Sequence, residues 1–186
     1  MIITAVPKVK KITSEEFYNV LPDSDHEIFE LIEGEIISQA SPSIAHQRLS
    51  MALSNKIYNF ISSKKGKCEV FSTPTDVKLD EETIVVPDIF AACDPEKFDK
   101  QKYNGAPDWI IEIVSSDRNY DMFRKLEIYR KAGVREYWII DPKYSRTIVY
   151  YFEDISSKYI YIYPFDTPVP ANIYGGELMI DISDIL

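Results

Sequence analysis

Hydrophobic positions change their period several times along this chain, and each change marks an element. Thr13-Ser14-Glu15-Glu16 has the form of a capping box opening a short helix, with Phe17 and Val20 turned inward and Pro22 ending it. Two apolar runs, 28–32 and 35–38, flank Glu33-Gly34, which predicts a β-hairpin whose glycine supplies the positive φ of the turn. After Ser41-Pro42-Ser43, the residues Ala45, Leu49, Ala52, Leu53, Ile57, Phe60 and Ile61 recur at helical spacing. Lys64-Lys65-Gly66 then provides a basic last turn and a glycine stop.

Beyond this helix the pattern turns to strands. Residues 68–79 and 84–91 read as two strands joined by a turn at 80–83. The segment from Asp94 to Pro107 is polar and without periodicity, which predicts a long surface loop. Residues 109–114, Trp-Ile-Ile-Glu-Ile-Val, form an apolar run without alternation, as expected for a central strand covered on both faces. A helix over about 119–132 ends at Gly133, and Tyr137-Trp138-Ile139-Ile140 is a second buried strand stopped by Asp141-Pro142. Residues 146–152 and 158–163 alternate as a hairpin, and 177–182 forms a last edge element after a proline-rich loop. From residue 44 the order is helix, three strands, helix, strand, and the strand–helix–strand unit over 109–140 should be a right-handed crossover joining parallel strands. The expected fold is α/β with a mixed central sheet and additional N- and C-terminal hairpins. Without repeats or linkers, 1–186 reads as a single domain with its core at about 44–142.

Composition agrees with a real core: 186 residues are 45% hydrophobic and 13% aromatic. No run approaches the roughly 18–20 apolar residues of a membrane span, and the start lacks a signal-peptide pattern, so a cytoplasmic location without membrane association is expected. Cys68 and Cys93 are far apart and have no Cys-x-x-Cys partner, which suggests two reduced, partly buried thiols. The net charge of −9 argues against tight, stable duplex binding, although it leaves room for a transient nucleic-acid substrate. Basic residues also cluster at Arg118, Arg124, Lys125, Arg130, Lys131 and Arg135.

Two carboxylates stand out because apolar strands surround them. Glu112 interrupts the 109–114 run, and Asp88 follows Pro87 in Ile84-Val85-Val86-Pro87-Asp88-Ile89-Phe90. A carboxylate buried there costs several kcal/mol, roughly 2–7 for a polar group and more for an ion, unless something neutralises it. Adjacent strands lie about 4.8 Å apart, so side chains at matching height would offer oxygens to one divalent cation. Such an ion polarises a phosphoryl oxygen, and Lys125 on the following helix would offset developing negative charge. Each residue also has a plainer reading: Asp88 as a strand end, Lys125 as a snorkelling lysine or an i+4 partner of Asp121, and His46 as a half-buried helix residue. Glu30 and Glu33 of the first hairpin are near candidates, with a solvated turn the better home for Glu33.

Several strings carry a family resemblance. Val86-Pro87-Asp88, the segment 105–115, Asp121 to Lys125, Tyr129 and the run 132–142 (Ala-Gly-Val-Arg-Glu-Tyr-Trp-Ile-Ile-Asp-Pro) resemble the Uma-type family of restriction-endonuclease-like proteins within the PD-(D/E)XK nuclease superfamily. The Glu30–Glu35 hairpin and His46 at the start of the first long helix also fit, and the likeness spans about 12–153. It implies a Mg²⁺-dependent (or Mn²⁺-dependent) nuclease core in which Asp88 and Glu112 hold the metal. The residue two after Glu112 is Val114 rather than lysine, so the lysine role moves to Lys125, and His46 contacts water or substrate phosphate. The leading expectation is a metal-dependent endonuclease acting on DNA, with Asp88, Glu112, Lys125 and His46 at its centre. The alternative is a non-catalytic binding or assembly module on the same scaffold. Cutting both strands of a duplex calls for two sites, so a homodimer is expected, with the tyrosine-rich strands at 146–163 as one candidate interface.

Overall fold

Alternate residues of a strand face opposite sides of its sheet, and this parity organises the molecule. In this computed structural model the described residues are 11–21, 27–114, 119–153 and 160–185, with backbone alone at 119–123. The helices are α1 (Ser14–Val20), α2 (Ile44–Lys64) and α3 (Asn119–Ala132). The strands are β1 (Ile28–Ile32), β2 (Glu35–Gln39), β3 (Glu69–Ser72), β4 (Asp76–Asp80), β5 (Thr83–Val85), β6 (Ile89–Ala92) and β7 (Lys102–Asn104), then β8 (Trp109–Ile113), β9 (Glu136–Asp141), β10 (Arg146–Tyr151), β11 (Tyr161–Pro164), β12 (Val169–Ala171) and β13 (Leu178–Ile180).

Six strands form the central sheet in the order β11-β10-β9-β8-β6-β3, with β8 and β9 parallel and the other pairs antiparallel. Every residue of β8 is buried, as its unbroken apolar run requires. One face, carrying Ile89, Ala91, Trp109, Ile111 and Ile113, packs against the Leu49-Leu53-Ile57-Ile61 stripe of α2 and against the β12–β13 pair. The opposite face, carrying Phe90, Ile110 and Ile139, packs against Tyr129 of α3 and the second sheet, β2-β1-β5-β4-β7. Glu112 shares the parity of Ile110 and therefore points toward α3.

The mixed α/β class, both flanking hairpins and the parallel β8–β9 pair follow the sequence reading. Four details differ. The two strands expected at 68–79 and 84–91 are each divided between the sheets: β3 and β6 join the six-stranded sheet, and β4 and β5 join the five-stranded one. Pro74 and Pro87 sit at the breaks, where an imino acid cannot donate to a ladder. The hinge is held by Thr73, whose N–H donates to Asp88 O at 3.2 Å and whose hydroxyl donates to Pro87 O at 2.9 Å. The expected loop at 94–107 contains β7, which runs parallel to β4 and buries Tyr103 completely.

The capping box at Thr13 forms and Phe17 is buried, but Val20 is exposed, and Pro22 lies outside the described residues. Finally, Cys68 and Cys93 are joined in a disulfide rather than held as thiols. The β3–β6 register pairs Glu69 with Ala92, which sets the two cysteines opposite each other across the ladder. Cysteine usage thus no longer points to a reducing compartment. Among the described residues, no helix is long and apolar enough to cross a membrane.

Candidate active site

The site forms where β6, β8, β1, α2 and α3 converge. The antiparallel β6–β8 register pairs Ile89 with Ile111, so the next step places Asp88 across from Glu112. Asp88 Oδ2 accepts the Ile113 N–H at 2.8 Å and lies 3.0 Å from His46 Nε2. His46 occupies the first turn of α2, N-capped by the Ser43 hydroxyl. Burial opposes charging of the imidazole, yet the Asp88 hydrogen bond and the Asp88 and Glu112 charges outweigh it and raise its pKa.

Glu112 is buried, and Lys125 Nζ (3.0 Å) and Tyr129 Oη (2.7 Å) both donate to its Oε1. Lys125 also donates to Glu30 Oε1 at 2.9 Å, and that oxygen accepts the Val86 N–H at 2.8 Å. The lysine side chain is thus 10% exposed, with its ammonium between two carboxylates, so it does not snorkel. Asp121, its other suggested partner, has a side chain outside the described set. Among the described residues, the hydrogen bonds to the Asp88 carboxylate fall on Oδ2 and those to the Glu112 carboxylate on Oε1.

The four residues singled out in the sequence are therefore brought together in two linked groups, His46–Asp88 and Glu112–Lys125. Glu30, a near candidate in the sequence, joins them by completing the lysine's ion pairs, and Tyr129 is a further member that fixes Glu112. Glu30 interrupts Ile28-Phe29-Glu30-Leu31-Ile32 as Glu112 interrupts its own strand, so the same signal marks both. Tyr129 carried no such mark, because its aromatic ring fits the apolar stripe of α3. Glu33 stays at the exposed hairpin turn but lies 3.4 Å from Arg124 Nη2, and Asp108 serves the start of β8 by binding Arg135 and the Cys93 N–H.

Electrostatics set the character of the cluster. Three carboxylates, Glu30, Asp88 and Glu112, face one lysine and one imidazole in a desolvated space. Burial pushes the Glu112 carboxyl up to about 7, an effect that Lys125 opposes and that Asp88 and Glu30 reinforce. Lys125 is itself held above the usual lysine range, because Glu112 and Glu30 more than offset its desolvation. A carboxyl raised from 4.5 to about 7 favours the folded state while it keeps its proton, and that contribution declines as pH rises across this interval. Glu112→Gln mimics the protonated form and keeps an acceptor for Tyr129. In metal-free protein it should raise the thermal midpoint by several degrees near pH 8 and leave it unchanged near pH 5, as read by scanning calorimetry.

A hard divalent cation suits this oxygen-rich, negatively overloaded donor set. Among the described residues, no group of three or more His, Cys, Asp or Glu side chains is arranged to hold a metal. Mg²⁺ does not demand one, since it commonly takes one or two carboxylates and fills its remaining positions with water and phosphate oxygens.

With this geometry in place, the chain can be set beside known proteins. The model of the Uma2 family, described as "Putative restriction endonuclease", matches residues 14–164. The chain belongs to this family. It is also similar to a solved structure from Anabaena variabilis described as a putative nuclease belonging to DUF820. The TM-score is 0.77 at 24% identity, covering 94% of this chain and 97% of that one. At this identity the likeness speaks for a shared fold. No curated protein matches the chain.

Proposed function

We propose that this Uma2-family chain is a Mg²⁺- or Mn²⁺-dependent endonuclease that hydrolyses DNA phosphodiester bonds. The observation that carries this reading is the juxtaposition of Asp88 with Glu112 across β6 and β8, with the Lys125 ammonium bonded to Glu112. Asp88 and Glu112 would hold the ion. When bound, such an ion polarises a phosphoryl oxygen and lowers the pKa of a water nucleophile.

The protein's own groups have distinct tasks. Lys125 keeps its proton at any physiological pH, so it acts as a fixed positive donor toward negative charge developing on the phosphate, and not as a base. Glu30 holds that ammonium in place and, through Val86, ties it to the end of β5. Tyr129 orients Glu112, and His46 orients Asp88, each through a hydrogen bond to one carboxylate oxygen. Holding these groups before substrate arrives removes reorganisation from the chemical step.

The net charge of −9 favours a second reading, a binding module that kept the scaffold without the chemistry. Calorimetric titration with Mn²⁺ and assays on plasmid DNA separate the two. The nuclease reading expects one ion per site, affinity that rises with pH through about 7 as Glu112 loses its proton, and cleavage only with metal. Absence of both binding and cleavage would leave the binding module. For coordinated cutting of both strands we propose a homodimer through the outer strands of the six-stranded sheet. The edge strand β11 exposes Tyr161 and Ile162 there, and sedimentation measures the assembly.

A further inference from the structure

Beside the carboxylates, between β2 and α3, lies a groove of about 160 Å³ that the mechanism above does not use. Its apolar walls are Ile32, Ile37 and Ile128, and Glu30 and Lys125 lie at its inner side. The cations along it are already engaged. Arg124 donates to Ile32 O at 3.3 Å and lies 3.4 Å from both Glu33 and Glu35, and Lys125 is bonded to Glu30 and Glu112. A second anion would find little uncommitted positive charge in it.

Gln39 is the exception among these satisfied groups. The β1–β2 register pairs Ile37 with Glu30 and Gln39 with Ile28, so Gln39 lies on the same face as Glu30, one diagonal step along the hairpin. Its Nε2 is buried and has no hydrogen-bond partner among the described residues. Buried donors are rarely left so, because water no longer compensates them. Gln39 also lines a smaller cavity of about 20 Å³ that it shares with His46, Asp88 and Thr73. Gln39 thus borders both the groove and the cavity that Asp88 lines.

We propose that this groove is a nucleobase pocket, in which Gln39 hydrogen-bonds the edge of one unstacked base next to the scissile phosphate. The inference rests on the nuclease reading and names its substrate class, single-stranded or locally unpaired DNA. Three features choose a base over other occupants. An apolar cavity of about 150 Å³ accepts a six-membered aromatic ring, so the groove has room for the six-membered ring that carries the pairing edge of a base. Aliphatic walls suit the faces of a planar ring, and a primary amide pairs a donor and an acceptor at the spacing of a base edge. A base stacked in a duplex has its faces covered and its pairing edge occupied, so only an unstacked one can enter.

The test uses the full-length protein without metal and a short single-stranded deoxyoligonucleotide carrying 2-aminopurine. It is compared with the same strand bearing an abasic site and with the blunt duplex. The expected results are fluorescence brightening on binding, tighter binding of the single strand than of the duplex, and about tenfold weaker binding by Gln39→Leu. That variant keeps side-chain bulk, and an unchanged thermal midpoint shows that it folds. The abasic strand should bind wild type and Gln39→Leu alike. Equal binding of single strand and duplex, indifferent to Gln39, overturns the pocket while metal-dependent cleavage leaves the nuclease reading standing. If no DNA is cut with Mn²⁺, the nuclease reading falls instead, and the Gln39 dependence of strand binding still decides the pocket.

Discussion

Asp88→Asn should lower metal-dependent DNA cleavage by about a thousandfold or more while leaving the protein folded. The substitution keeps the size of the side chain and an oxygen to accept the Ile113 N–H, so the β6–β8 junction retains its hydrogen bond. What it removes is the negative charge that faces Glu112 across the ladder. A cation held by two carboxylates loses half of its anionic ligands, and the ion's affinity and its polarising effect fall together. Nicking of supercoiled plasmid measures the rate, Mn²⁺ calorimetry the affinity, and a thermal melt the fold. A variant that cuts as fast as wild type would remove Asp88 from the mechanism and return it to the role of a strand-end residue.

Lys125→Met should be the most destabilising single change in the site. It leaves Glu30 and Glu112 buried without their shared cation, and breaking a buried pair in this way typically costs about 3–5 kcal/mol. For a chain of this size that corresponds to a fall of roughly 6–20 °C in the thermal midpoint. The loss should be larger near pH 8 than near pH 5, because Glu112 can take up a proton at the lower pH and discharge itself. Lys125→Met combined with Glu112→Gln should recover a substantial part of the loss, since the second substitution removes one stranded charge. Melting curves of wild type, both single variants and the double variant close the cycle. If the double variant melts no higher than Lys125→Met alone, the lysine stabilises through packing of its stem, and the ion-pair account is wrong.

The individual acids of the site were legible in the chain because each breaks a local rule. Glu112 among Trp109-Ile110-Ile111 and Ile113-Val114, and Glu30 among Phe29 and Leu31, are charges where the pattern demands burial. Tyr129 and Gln39 break no rule: an aromatic on a helix stripe and a polar residue at a strand end are both ordinary. The role of Tyr129 comes from Glu112, which accepts its hydrogen bond, and the one proposed for Gln39 from the groove it lines. The cysteines misled for a related reason. Two thiols 25 residues apart look independent until the β3–β6 pairing sets them opposite each other.

Periodicity alone determined the helices, the buried central strands, the parallel β8–β9 unit and the positions where charge had to be explained, because these depend on burial of contiguous residues. Which sheet each half of the 68–92 segment joins, and hence that Asp88 meets Glu112 while Glu30 meets Lys125, was decided only in three dimensions. Strand pairing between distant segments is a competition among registers, each burying similar apolar area, and no local signal ranks them. The chain specifies that it has buried charges; the tertiary structure assigns their partners.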